Sequence, residues 1–129
     1  MKVLIDTHCW LWLCSEPERF SKSTLDRLAD RDTERLLSSA SVWEIVIKYG
    51  IGKLPLPIAP PAFVPSRLEA TQTDVLPISA AHALRVADLP DHHRDPFDRM
   101  IVAQAMVEAT PLLTADKALR RYGIELFRV

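Results

Sequence analysis

No excess of charge marks this chain of 129 residues: sixteen Lys and Arg stand against seventeen Asp and Glu, a formal charge of −1. The field of the whole molecule therefore offers no strong attraction to nucleic acid or an anionic membrane, and a polyanion has to be met by a local patch or a metal. Cysteine is scarce as well. Cys9 and Cys14 lie five apart in one expected helix, where their side chains point in different directions; that spacing does not suit a disulfide, and a reducing, cytoplasmic setting is the default. No uninterrupted apolar run approaches the roughly 20 residues of a membrane span. The opening MKVLIDTHCWLWLC places a lysine before apolar residues, as a secretory leader does, but Asp6 and His8 break the apolar segment and no small-residue cleavage site follows. There is no internal repeat. What remains, at 48% hydrophobic and 26% charged residues, is the composition of one soluble domain spanning residues 1–129, with enough apolar material for one core.

Along the chain, short β-favouring runs alternate with helical patterns. Lys2–Ile5 reads as a strand ended by Asp6 and Thr7, and Cys9–Cys14 as the helix after it. Ser21–Asp32 carries Leu25, Leu28 and Ala29 at helical spacing, with Ser21 or Ser23 as N-cap. Arg35–Ser39 is a second strand, and a helix opening at Ser41 runs to about Tyr49, closed by Gly50 and Gly52. Five of the ten prolines fall in residues 55–65, an extended connector from which Pro60 and Pro61 start a helix over Phe63–Thr71. Val75–Ile78 is a third strand, followed by a helix over Ser79–Leu89 with Ala80, Ala83, Leu84 and Ala87 on one side. Asp95, Pro96, Phe97 and Asp98 open a helix that is apolar on nearly every face from Met100 to Ala109 and is expected to be buried. Pro111–Thr114, Asp116–Tyr122 and Glu125–Val129 complete the chain as strand, short helix and strand. Such alternation predicts βαβ units: a three-layer α/β/α sandwich with a mostly parallel central sheet.

Four carboxylates, Asp6, Glu44, Asp98 and Asp116, stand where an apolar run ends or a helix begins. Three have ordinary structural explanations. Ser41 and Glu44 fit a capping box, Asp95, Pro96 and Asp98 fit N-cap, N1 and N3, and Asp116 can cap the helix that starts at Lys117. Asp6 resists that account, because it ends an apolar strand. In a parallel α/β sheet all four acids reach the same edge. Two carboxylates about 4 Å apart repel by roughly 4 kcal/mol at an effective dielectric near 20, so their gathering requires cations or protons. Oxygen ligands without Cys or His at zinc spacing favour Mg2+ or Mn2+.

The segments VLIDTHCWLW, SSASVWEIVIKYGIGKL, DPFDRMIVAQA and LLTADKAL, which together span almost the whole chain, resemble the four acidic motifs of the PIN-domain family, specifically its VapC-like toxins from bacterial toxin–antitoxin pairs. The resemblance implies a small Mg2+-dependent ribonuclease, with Asp6, Glu44, Asp98 and Asp116 matching the family's acidic quartet. It also implies a homodimer and a VapB-like antitoxin as partners. The chemistry would be metal-assisted phosphodiester hydrolysis. Asp6 and Asp98 are the expected direct ligands, with Glu44 and Asp116 completing the site through a second ion or water.

Around the quartet, Thr7, Ser41 and Thr114 are candidates to orient the acids, against the plainer reading of cap and turn hydroxyls. Asp95, a fifth acid, either extends the site or caps the helix, with capping the first reading. Arg99 either contacts a substrate phosphate or pairs with Asp95. His92 and His93 read as ordinary loop histidines, since adjacent residues rarely chelate one ion together, and His8 and His82 carry less weight still. Trp10, Trp12 and Trp43 fit core or dimer-interface packing better than base stacking. Lys48, Lys53, Arg94, Arg99, Lys117, Arg120 and Arg121 either ring the cleft and hold RNA or are, for most of them, solvated surface. A phosphate-accepting receiver domain would need paired acids after the first strand, and an aspartate-nucleophile phosphatase a second aspartate where His8 stands; neither pattern is here. A non-catalytic PIN-like protein-binding module is the remaining alternative, against which the complete quartet argues.

Overall fold

A computed structural model describes residues 1–127 and residue 129. Five strands, β1 (Lys2–Ile5), β2 (Glu34–Ser38), β3 (Thr73–Leu76), β4 (Leu112–Leu113) and β5 (Leu126–Phe127), form one sheet in the order β3-β2-β1-β4-β5. Every neighbouring pair is parallel. β1 is the central strand, with Ile5 paired to Leu37 on one side and to Leu113 on the other. The helices are α1 (Thr7–Ser15), α2 (Lys22–Ala29), α3 (Ser39–Gly50), α4 (Pro60–Ala70), α5 (Ala80–Arg85) and α6 (Pro96–Val107).

Strand alternation divides the interior into two apolar clusters, one on each face of the sheet. Val3 and Ile5 join Leu37, Leu113 and Phe127 on the face that packs Trp10 of α1, Leu28 of α2, Ile45 of α3 and Phe63 of α4. Leu4, Leu36 and Leu112 point the opposite way and meet Ile101, Val102 and Ala105 of α6, together with Leu119 and Tyr122. A parallel strand covered on both faces has to be apolar throughout, and Val3, Leu4 and Ile5 are all fully buried. The three-layer α/β/α sandwich expected from the sequence is the observed architecture.

Several boundaries differ from expectation, each for an identifiable reason. β3 begins at Thr73, not Val75, because buried Thr73 already pairs with Arg35; the strand stops at Leu76, before Pro77, which has no N–H for the ladder. α3 starts at Ser39, directly after β2, with Ser38 as its N-cap: Ser38 Oγ accepts from Ala40 N at 3.0 Å. The expected Ser41–Glu44 capping box is therefore not a cap; both residues lie buried inside the helix.

α5 is shorter than expected, and the side rich in alanine and leucine is not the buried one. Ala80, Ala83, Leu84 and Ala87 face solvent, with Leu84 72% exposed, and His82 is the buried residue. The imidazole accepts from Ser79 N through Nδ1 (3.0 Å) and contacts Glu108 through Nε2 (3.1 Å), so a polar side chain anchors this helix. A 3-10 turn over Lys117–Tyr122 replaces the last expected helix, and Gly123 ends it at φ 71°, a left-handed conformation suited to glycine. Of the expected strand Glu125–Val129, Leu126 and Phe127 pair with β4, and Arg128 lies outside the described residues.

Candidate metal centre

The strand order reverses at β1, whose neighbours β2 and β4 lead away in opposite directions, and the carboxyl ends flanking such a switch point form a crevice. Asp6 leaves β1 there, tied to β4 by its N–H to Leu113 O at 3.0 Å. Thr114, Ala115 and Asp116 follow β4, and Glu44 enters one turn into the helix that follows β2. The first turn of α6 supplies Asp98, its third residue.

Asp6 proves to be the N-cap of α1: Oδ1 accepts from Cys9 N at 2.8 Å. An acid that ends an apolar strand carries no local sign of that role. Its charge acts on the Cys9 thiol, which burial first and Asp6 second push well above the ordinary thiol range. Cys9 and Cys14 are both free thiols.

Glu44 is buried and both its oxygens are held. Thr7 Oγ1 donates to Oε1 at 2.6 Å, and Lys48 Nζ, one helical turn on, donates to Oε2 at 2.5 Å. Ser41 Oγ lies 2.8 Å from the Thr7 hydroxyl. Thr7 has a single proton and a carboxylate can only accept, so Ser41 donates to Thr7 and Thr7 to Glu44. Partial burial alone would lower the Lys48 ammonium; the hydrogen bond and charge of Glu44, with Asp95 and Asp98 beyond, outweigh it and hold the pKa above the ordinary 10.5.

Asp95 caps α6, its Oδ1 accepting from Phe97 N at 2.9 Å and Asp98 N at 3.4 Å. Asp116 caps the turn after β4 through Oδ1 and Ala118 N (2.9 Å), and Thr114 Oγ1 accepts from Asp116 N (3.0 Å), fixing the residue from behind. Asp98 bears the electrostatic cost of the assembly. Its carboxyl is pushed up to about 6, first by burial, then by Asp95, with Glu44 and Asp6 adding to the repulsion and His93 opposing it.

His93 is the residue that sequence reasoning missed. Its Nε2 lies 3.0 Å from Asp98 Oδ2 and 3.2 Å from Asp116 Oδ2, and the three ligand-capable atoms fall within 4.8 Å of one another. The close group is thus two carboxylates and an imidazole, not oxygen alone; Asp6 and Glu44 reach Asp98 through their charge. No local signal distinguishes His93 from His92. The neighbour turns away and packs edge-on against Tyr122, with ring centroids 5.1 Å apart.

The guanidinium of half-buried Arg99 is bonded to backbone carbonyls, not to Asp95. Nη1 donates to Pro90 O (3.0 Å) and His93 O (3.3 Å), and Nη2 to Val86 O (3.3 Å) and Leu89 O (3.4 Å), so it clamps the loop that carries His93. Trp10 and Trp12 pack against Phe63 and Phe20. Trp43 is 62% exposed and stands edge-on to Phe97 at 5.5 Å, beside the acids.

Comparison with known proteins gives a consistent picture. The sequence model of the PIN domain matches residues 3–125. Ribonuclease VapC16 of Mycobacterium tuberculosis (strain ATCC 25618 / H37Rv) is 47% identical over 47 residues, which cover 36% of this chain and 33% of that protein, so the chain matches about a third of the length of this relative. Among solved structures, DNA-bound VapBC from Salmonella typhimurium superposes with a TM-score of 0.75 at 18% identity, covering 99% of this chain and 98% of that one. A toxin–antitoxin complex from Klebsiella pneumoniae has a TM-score of 0.56 at 16% identity over 88% of this chain and 86% of that one. These two likenesses describe a shared fold.

Proposed function

The chain belongs to the PIN domain family, and from that premise we propose that it is a metal-dependent ribonuclease, the toxin of a type II toxin–antitoxin pair. The observation that carries this reading is the gathering of His93, Asp98 and Asp116 within 4.8 Å at the switch-point crevice, with Asp6 and Glu44 acting on Asp98. An acid raised to about 6, first by burial and then by the carboxylates around it, is a site short of positive charge.

The donor set fits a divalent ion. Asp98 and Asp116 would hold it, with Asp6 and Glu44 completing the acidic wall, and carboxylates suit Mg2+ with Mn2+ as a substitute. Such an ion, when bound, supplies an activated water and positive charge for a phosphodiester under attack. The protein's own part is placement. Thr7 and Lys48 fix both oxygens of Glu44, Cys9 N fixes Asp6, and Thr114 and Ala118 fix Asp116, so the acids are oriented before any substrate arrives. The α6 N-terminus, capped by Asp95, adds the positive end of a helix dipole near Asp98. For single-stranded RNA, the exposed Trp43 offers a stacking face beside the acids.

The partners we assign are a VapB-like antitoxin and a second copy of the chain. The exposed apolar side chains of α3 (Trp43, Val46) and α5 (Leu84) are surface that such partners can cover. No described helix is long and apolar enough to cross a membrane.

The test is cleavage of single-stranded RNA by purified protein in Mg2+ or Mn2+. Asp6→Asn should abolish cleavage and keep the fold, because asparagine retains the cap on α1. Wild-type protein that leaves RNA intact under both ions would favour a non-catalytic binding module instead. Co-purification with the product of an adjacent small reading frame tests the antitoxin.

A further inference from the structure

Resting on the reading of this site as a metal centre, we propose that His93 Nε2 is itself a ligand of the ion held by Asp98 and Asp116, and that it tilts the site toward Mn2+ over Mg2+. The imidazole faces both carboxylates at once, 3.0 and 3.2 Å away, where one N–H is shared between two acceptors. A cation can take the place of that hydrogen once the Nε2 proton is released to solvent or the ring carries its hydrogen on Nδ1 instead, which leaves the Nε2 lone pair facing the carboxylates. Adjacent ligands of an octahedral ion with bonds of about 2.1 Å lie about 3 Å apart, the separation already present between the imidazole and each carboxylate.

The ring's position is built by residues outside the acidic group. Arg99 grips the carbonyls of Val86, Leu89, Pro90 and His93, and His92 is pinned on Tyr122, so the backbone on either side of the imidazole is fixed. A loop histidine with only a solvent role needs no such support. Its nitrogen also changes the chemistry of the centre: Mg2+ prefers oxygen and dehydrates reluctantly, whereas an imidazole donor is better matched by first-row transition ions.

Mn2+ is the probe, because it reports its ligands by pulsed EPR. Wild-type protein loaded with Mn2+ should show coupling to one imidazole nitrogen, and His93→Ala should lose it. By calorimetry, His93→Ala should weaken Mn2+ binding by about tenfold or more and Mg2+ binding by less than about twofold. His93→Gln, which keeps a polar side chain of similar reach, covers the case in which the alanine variant fails to fold; it too should lose the nitrogen signal. Mn2+ bound without nitrogen coupling, equal weakening of both ions, or no Mn2+ binding by the wild type overturns the inference. RNA cleavage without nitrogen coupling defeats this inference alone, and nitrogen coupling in a protein that leaves RNA intact defeats the nuclease reading alone.

Discussion

Thr7 Oγ1 donates to Glu44 Oε1 at 2.6 Å, joining the first turn of α1 to a buried carboxylate on α3 across 37 residues of sequence. The bond makes Thr7 a support for the acid, not a helix-start hydroxyl. Thr7→Val keeps the shape and removes the donor, leaving Glu44 with one unsatisfied buried oxygen. The expected loss of stability is about 1–3 kcal/mol, with Thr7→Ser close to wild type. Urea denaturation in the presence of a chelator measures both.

Lys48 neutralises the same carboxylate from the other side. Its pKa is raised, so its contribution is complete below the ordinary 10.5 and disappears as pH rises through the higher folded value. Lys48→Met should cost about 1–3 kcal/mol at neutral pH, less than a fully buried pair because the ammonium is partly solvated. The cost should shrink as pH rises above 10.5, where the lysine begins to lose its charge. Melting temperatures of the two proteins at neutral pH and above pH 10.5 decide it.

Asp98 carries the opposite linkage. A carboxyl raised from 3.8 to about 6 binds more protons folded than unfolded, so stability falls as pH rises through that window. In chelator, the metal-free protein should lose on the order of 2–3 kcal/mol from this group between pH 4 and 6. Asp98→Asn should remove that part of the slope and be the more stable protein at pH 7. Added Mg2+ or Mn2+ should restore the wild type above pH 6 and do less below it, where protons compete for the same oxygens. A melting temperature indifferent to both ions at pH 7 would contradict shared coordination.

These charge effects centre on residues that differed greatly in how legible they were. β1, β2 and the Asp95–Pro96–Asp98 start of α6 could be read locally, because an apolar run, a strand-ending acid and a cap series each carry their signal within a few positions. Ser41-x-x-Glu44 carried a misleading local signal: β2 runs straight into α3, so Ser38 takes the cap and Glu44 is drawn inside. The face of α5 was equally opaque. Alanine and leucine spacing marks one side, but the buried residue is His82, whose partner Glu108 lies 26 residues away. His93 is the extreme case, since its partners Asp98 and Asp116 and its clamp Arg99 meet it only in the folded chain.

Arg99 is the point at which loop order and site geometry can be separated. Its planar guanidinium reaches four carbonyls, Val86, Leu89, Pro90 and His93, with two nitrogens, and a lysine ammonium cannot span that set from one point. Arg99→Lys keeps the charge and should cost about 1–3 kcal/mol through carbonyls left without their donor. Because α6 and the sheet do not depend on the clamp, the change should be local. Hydrogen exchange followed by mass spectrometry should speed up in peptides covering residues 86–95 and stay at the wild-type rate in β1, where Leu4 and Ile5 lie fully buried. Faster exchange throughout the sheet would mean that Arg99 supports the whole fold, and unchanged exchange in the loop would mean that the carbonyl contacts do not hold it.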